Sequence, residues 1–346
     1  MSETITVRPG EELNIDALQQ YVNIHLPTVG QLQRYTQFPA GASNLTYALQ
    51  FTSGDYVLRR PPIGPVAPKA HDMKREYDIL KMLQPYLPQA PKPVLFCDDK
   101  RVLGAPFFMM ERKYGVVLDT KLPDDYTPEM GRHISEKMID LLVELHAIDY
   151  QQTALANMTK ADGFLERQVH GWIERYERAK TDDIPEVVPL TTWLRDHLPD
   201  STDATIIHYD FKLNNAMFTE DMSDIVGLFD WEMTTVGDPL ADLGVMMSYW
   251  VTAEDDTTLK YMLGKPPVTI HPGFYTREQM MARYAQKSGR DLAAMSYYIT
   301  FAYFKLAVIG QQIYARYRNG QTNDERFAIF GKLVPQLIKH ALLQTK

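Results

Sequence analysis

One stretch of the chain, TIIHYDFKLNNAMFTEDMSDIVGLFDWEMTTVGDPLADLG at 205–244, gathers His208, Asp210, Asn215, Asp230 and Asp238 around three short apolar runs. The pattern is HxDxxxxN followed by an apolar run that ends in Asp about fifteen residues on. Carboxylates and a carboxamide are oxygen donors, the set that Mg²⁺ takes together with phosphate oxygens. A lone Asp or Asn near a strand end is ordinarily a turn former or a cap. What sets these residues apart is their combination.

Elements must bring the donors together. Residues 205–207, 216–218 and 225–229 have the apolar character of short strands separated by polar turns. If 219–224 reverses the chain as a hairpin, pairing Phe218 with Gly227 fixes the register and Asn215 then faces Asp230. Asp210 sits five residues before Asn215, in the loop that enters the hairpin's first strand, so a third polar group reaches the same space. Protein kinases place a catalytic Asp, a metal-binding Asn and a second metal-binding Asp in this order. The spacing therefore predicts a phosphotransferase site.

Upstream, 31–40 and 46–51 have strand patterning and are joined by Gly41, Ala42, Ser43, Asn44 and Leu45. Small residues there let backbone N–H groups approach phosphates, although the same turn also serves an ordinary hairpin. The strand 56–60 ends in Arg59 and Arg60, and alternation puts Val57 and Arg59 on one face. Paired arginines can mark a solvated edge; here Arg59 is expected to reach the α and β phosphates. In the helix expected over 70–84, Met73, Tyr77, Leu80 and Leu83 form a stripe that also takes in Glu76. An inward acid needs a cation, and Arg59 is the natural one, with Lys74 and Arg75 as rivals. The strand 106–110 leads into Glu111, Arg112, Lys113, Tyr114 and Gly115, a hinge whose backbone groups can meet an adenine edge, with Met110 and Arg112 as the candidate nucleotide contacts. This divides the chain into 1–112, which binds nucleotide, and 113–346, which carries catalysis and acceptor binding.

Beyond 127 helical periodicity dominates, with a core helix at 132–149 and others at 163–180, 189–198, 276–288, 292–312 and 324–345. His146 is expected to cap or pack. Asp238 before Pro239 is a helix start, and Asp242 one turn on is placed to brace the catalytic loop. Aromatics of the last helices, with Trp250, are candidates to line an acceptor pocket.

Composition narrows the partners. With 45% hydrophobic and 23% charged residues the chain is an ordinary globular one, and a net charge of −8 without a basic stripe argues against nucleic acid. The lone Cys97 suggests a reducing compartment and a buried apolar role. MSETITVRPGEELN has no secretory pattern, and the apolar stretch 297–310 is too short to span a bilayer and holds Lys305. A cytoplasmic protein without membrane partners is expected; its oligomeric state is left open.

At HYDFKLNNAMF followed by FDWEMTTVGDPLADLG the chain resembles the aminoglycoside phosphotransferase and choline kinase group, whose fold is kinase-like. It is most similar to the branch related to the kinase domain fused to some animal acyl-CoA dehydrogenases. That branch also shows stretches like GASNLTY, YVLRRPP, ERQVHGWIERY, RYAQKSGRD and YYITFAYFKLAVIGQQIYARY, so the likeness covers nearly the whole chain. The resemblance implies an α+β, two-lobed fold, a small antiparallel β lobe with one helix and a larger mainly helical lobe, with ATP in the cleft. It also implies that Asp210 accepts the acceptor hydroxyl's proton, that Asn215 and Asp230 bind Mg²⁺, and that Glu76 holds Arg59 on phosphate. The turn at Gly41, Ser43 and Asn44 would cover the phosphates. Tyr209 stands where the group usually has glycine, and Asn214 where this branch often has aspartate.

The expected activity is phosphotransfer to a hydroxyl of a small metabolite, a hydroxyacyl thioester being favoured by the branch. Rival readings are an aminoglycoside, amino-alcohol or sugar kinase, and a nucleotide-binding module without transfer. A polycationic acceptor would want a concentrated acidic cleft, and the acids at 254–256 are a short run.

Overall fold

Alternating apolar residues and short turns dominate the first third of the chain, and they fold into a sheet. The computed structural model describes residues 3–39, 44–63, 72–201, 203–261, 264–322 and 324–345. The elements of this part are α1 (Ile15–His25), β1 (Leu32–Gln37), β2 (Leu45–Phe51), β3 (Gly54–Arg60), α2 (Met73–Leu83), β4 (Pro93–Cys97), α3 (Lys100–Leu103) and β5 (Phe107–Glu111). All strands pair antiparallel in the order β1-β2-β3-β5-β4, which puts β3 in the middle. β1 is shorter than the expected 31–40 and stops before Pro39, which has no N–H to donate.

Alternation sorts the side chains of the sheet. Leu58, Phe107 and Met109 join Tyr47, Leu49, Leu95 and Cys97 in a core that Leu18 and Val22 of α1 complete. Arg59 and its cross-strand neighbour Phe108 take the opposite face, where the Phe108 ring lies 6.3 Å from Tyr77 of α2. Arg59 and Arg60 are both only 7% exposed, so the paired arginines form no solvated edge. Asp72 caps α2 by accepting from the Arg75 N–H at 3.0 Å, and Met73, Glu76, Leu80 and Leu83 are buried along its inner stripe.

The chain divides into two compact units, Met1–Gly115 with Val226–Glu232, and Val116–Ile225 with Met233–Lys346. The remaining elements are β6 (Val116–Val117), α4 (Pro128–His146), α5 (Leu155–Met158), α6 (Phe164–Ala179), α7 (Val187–Asp196), β7 (Thr205–Ile207), β8 (Ala216–Phe218), β9 (Ile225–Leu228), β10 (Thr235–Gly237), α8 (Pro239–Tyr249), α9 (Thr257–Lys260), α10 (Arg277–Ser288), α11 (Met295–Arg318) and α12 (Phe330–Leu343). In the second unit β7 pairs with β10, and β6 with β8. The reversal at 219–224 is closed by the Thr219 N–H on the Asp224 carbonyl at 2.9 Å.

Pro239 opens α8 behind its N-cap Asp238, which accepts from the Leu240 N–H at 2.8 Å. α8 is buried nearly all round. It approaches α11 closely at Gly244, where an added Cβ would sit 2.8 Å from the Tyr298 carbonyl oxygen. Among the described residues, no helix is long and apolar enough to cross a membrane.

Candidate active site

β3 delivers Arg59 to the α2 face, and the segment that returns to this unit supplies Asp230 and Glu232. Arg59 Nη1 meets Asp230 Oδ1 at 2.7 Å, its Nε lies 3.3 Å from Glu76 Oε2, and its Nη2 is 3.7 Å from Glu232 Oε2. The rival cations on α2 are engaged elsewhere: Lys74 with Asp78 at 2.5 Å, and Arg75 with the Glu232 carbonyl at 2.9 Å. Three carboxylates thus surround one guanidinium. Burial pushes the Glu76 carboxyl up to about 7, with Arg59 opposing and Asp230 and Glu232 adding repulsion. Burial also works against the Arg59 charge, but Glu76 and Asp230 outweigh it and its pKa rises.

Asp230 has a φ of 65°, left-handed for a residue with a Cβ, a conformation that surroundings must impose. The next residue helps anchor it: Trp231, buried, donates its indole N–H to the Leu228 carbonyl at 2.7 Å. Asn44 donates from Nδ2 to Glu232 Oε2 at 3.1 Å. Gly41 and Ser43 lie outside the described residues. Met110 is buried on β5 opposite Val57, and the Arg112 side chain is held by Glu3 at 2.7 Å and Asp55 at 3.4 Å. The Glu111 N–H is used by the Lys92 carbonyl at 2.9 Å.

In the second unit the loop after β7 is fastened by one buried carboxylate. Asp242 Oδ2 accepts from the His208 N–H at 2.7 Å, and its Oδ1 from the Tyr209 N–H at 2.8 Å. His146 completes the set: its Nε2 lies 3.2 Å from Asp242 Oδ2 and its Nδ1 2.7 Å from the Tyr284 hydroxyl. Burial alone would raise the Asp242 pKa, but the bonds from His146 and from the loop hold it below the usual carboxylate range. The structure therefore gives His146 a bridging role inside the core.

The loop presents Asp210 with two donors on it. Lys212 Nζ reaches Asp210 Oδ2 at 2.8 Å, and Asn215 Nδ2 reaches the same oxygen at 3.1 Å and the Asp210 carbonyl at 2.9 Å. With its nitrogen so used, the Asn215 carboxamide turns its oxygen away from Asp210. Tyr209 is buried and left-handed, with a φ of 65°. Lys305 of α11 stabilises that turn, donating to the Tyr209 carbonyl at 3.0 Å and standing 3.4 Å over its ring.

These groups define what the two sets of residues can do. Asp230 in the first unit and Asn215 in the second each carry a side-chain oxygen of the kind Mg²⁺ takes. Among the described residues, no group of three or more His, Cys, Asp and Glu is arranged to hold a metal by itself. Sequence reasoning missed Glu232, Lys212 and the role of Lys305. The signals were there: an acid two residues after Asp230, a cation two after Asp210, and a lysine within an otherwise apolar helix.

A family model described as the phosphotransferase enzyme family matches residues 34–265. Acyl-CoA dehydrogenase family member 11 of Mus musculus is 32% identical, over 100% of this chain and 45% of the relative. The chain spans less than half the length of the curated relatives it matches. Among solved structures, a candidate aminoglycoside phosphotransferase from Ralstonia eutropha is 26% identical with a TM-score of 0.82, covering 96% of this chain and 98% of that one. A choline kinase from Cryptosporidium parvum, 13% identical, covers 95% of this chain and 97% of its own with a TM-score of 0.60, a likeness of fold. The architecture is that of the two-lobed protein-kinase-like fold, with a small antiparallel β lobe and a larger, mainly helical one.

Proposed function

The chain belongs to the phosphotransferase enzyme family, and from that premise we propose that it is a small-molecule kinase moving the γ-phosphate of Mg·ATP to a hydroxyl of a metabolite. The Arg59 cluster carries this reading. One guanidinium among Glu76, Asp230 and Glu232 leaves an excess of negative charge, so a polyphosphate reaching Arg59 needs a divalent cation to offset it. Asp230 and Asn215 are the residues that would hold Mg²⁺, which supplies charge neutralisation to the phosphoryl oxygens when bound.

The chain's own residues have the following parts. Arg59, fixed by Glu76, contacts phosphate; Asn44 covers it, a part the sequence also gives to Gly41 and Ser43; the Met110 to Arg112 segment meets the base. Asp210, steadied by Lys212 and Asn215, orients the acceptor hydroxyl and takes its proton as the new O–P bond forms. Residues 1–112 bind nucleotide, and 113–346, which also supply Asn215 and Asp230 to the cation, carry catalysis and acceptor binding. The acyl-CoA dehydrogenase name of the relatives favours a hydroxyacyl thioester as that acceptor.

Thermal unfolding tests the cation requirement. Mg·ATP at one hundred times its Kd stabilises the folded state by about 2.7 kcal/mol. The melting temperature is expected to rise with Mg·ATP, to stay put with ATP in excess chelator, and to lose the Mg·ATP shift in Asp230→Ala. Equal shifts with and without Mg²⁺, or an undiminished shift in Asp230→Ala, contradict the assignment.

A further inference from the structure

A cavity of about 190 Å³ opens in the second unit beside the loop that carries Asp210. Its apolar wall is built from Met246, Trp250, Val251 and Leu259, and its charged lining consists of Lys212, Lys260, Lys265 and Asp119. Tyr249 lines it as well and also borders a smaller void against Asp210 and Lys305. We infer that this cavity recognises acceptors by an anionic group, a carboxylate or a phosphate, carried on a short apolar stem. The inference deepens the phosphotransferase reading by naming what else the hydroxyl acceptor must carry.

Charge is the first ground. Lys212 is committed to Asp210 at 2.8 Å, so Asp210 belongs in the balance. Three lysines against Asp210 and Asp119 leave one positive charge over, at Lys260 and Lys265. Lys260 Nζ donates to the neutral Ala253 carbonyl at 2.5 Å, and among the described residues it forms no ion pair. The acids at 254–256 do not reverse this, because none of them lines the cavity. Asp255 is bound to Arg277 at 2.7 and 2.8 Å, and Asp256 caps α9 by accepting from the Leu259 N–H at 3.0 Å. A polycationic acceptor would find lysines where it needs carboxylates.

Shape is the second ground. Pockets for drug-sized ligands run to roughly 300–1,000 Å³, so about 190 Å³ suits a smaller fragment. Its apolar wall suits methylene groups, and the lysines suit a charged end.

The test compares ω-hydroxyhexanoate, its amide, ω-aminohexanol and the coenzyme A thioester of ω-hydroxyhexanoate as phosphate acceptors, with calorimetric binding of each measured alongside. The carboxylate or the thioester is expected to be preferred over the amide and the amine. Preference for the free carboxylate assigns the lysines to a carboxyl end, and preference for the thioester assigns them to the carrier's phosphates. In Lys260→Gln/Lys265→Gln the ratio of kcat/KM for the preferred anion over the amide is expected to narrow by about tenfold, the size of one lost charge-assisted contact. Calorimetry should show the same narrowing even if no compound is turned over. Equal binding of carboxylate, thioester and amide, preference for the amine, or an unchanged ratio in the double variant overturns the inference. Failure of the phosphotransferase reading looks different: anion-selective binding persists while no phosphate is transferred.

Discussion

Lys305 shows how one residue can serve the loop at a cost to the fold. It is buried on α11, and burial lowers its pKa to about 7 from 10.5, Asp210 and Asp242 opposing the shift. In either protonation state the amine can donate to the Tyr209 carbonyl, which keeps a left-handed non-glycine residue in place. The sign of the linkage follows. Between pH 7 and 10.5 the unfolded chain holds this proton and the folded chain does not, so stability rises with pH across that window, by at most about 1.4 kcal/mol per pH unit. Below about 7 the full penalty is present. Lys305→Met should flatten that rise in a denaturation series between pH 7 and 10. The same variant should lose about tenfold or more in kcat, because a loop shifted by an ångström is costly, while its KM for nucleotide stays close to that of the parent chain. Unchanged pH dependence together with unchanged kcat would remove Lys305 from the loop's support. None of this was legible in sequence, where a lysine among FAYFKLAV gives no sign of which way its amine points. Asp210, Asn215 and Asp230 could be proposed from the sequence because their spacing is itself the signal.

Elements were readable wherever periodicity was long. The stripe of α2, the run of α4 and the aromatic spine of α11 stand out, and the structure adjusts their ends: α4 starts at Pro128 behind the Thr127 cap, and α11 continues to Arg318. Short pieces were not readable. β10 has three residues, and α1 buries only Leu18 and Val22, too narrow a stripe to stand out. The partner of β7 could not be foreseen, since β10 lies beyond the hairpin that sequence emphasised. α8 matters most at this scale because it carries Asp242 and starts at its N-cap Asp238, which also accepts from the Tyr298 hydroxyl of α11 at 2.6 Å. Gly244→Ala would push a Cβ against the Tyr298 backbone. Overpacking of this kind costs about 1–3 kcal/mol, so urea unfolding should show a loss in that range. A variant as stable as the parent would mean that α8 and α11 separate without cost.

Across the whole molecule, each of the two compact units gathers its own set of charged residues. The first concentrates one guanidinium and three carboxylates on α2, β3 and the returning segment at 226–232; the second bolts a loop bearing Asp210 to a buried Asp242. The family identity and the α+β architecture were legible from different motifs spread along nearly the whole chain. The charge of the acceptor cavity was not, because Asp119, Lys212 and the pair Lys260 and Lys265 come from three distant parts of the sequence and only the fold collects them. The central claim is that Asp210 handles the acceptor's proton while the Arg59 cluster handles the nucleotide. It is tested most directly by following labelled γ-phosphate from Mg·ATP to acceptor in Asp210→Asn, with nucleotide affinity measured on the same protein. Transfer is expected to fall by roughly 10²-fold or more, the contribution of a positioned general base, with the Kd for Mg·ATP within about twofold of the parent chain. Transfer at the parent rate in Asp210→Asn would contradict the account.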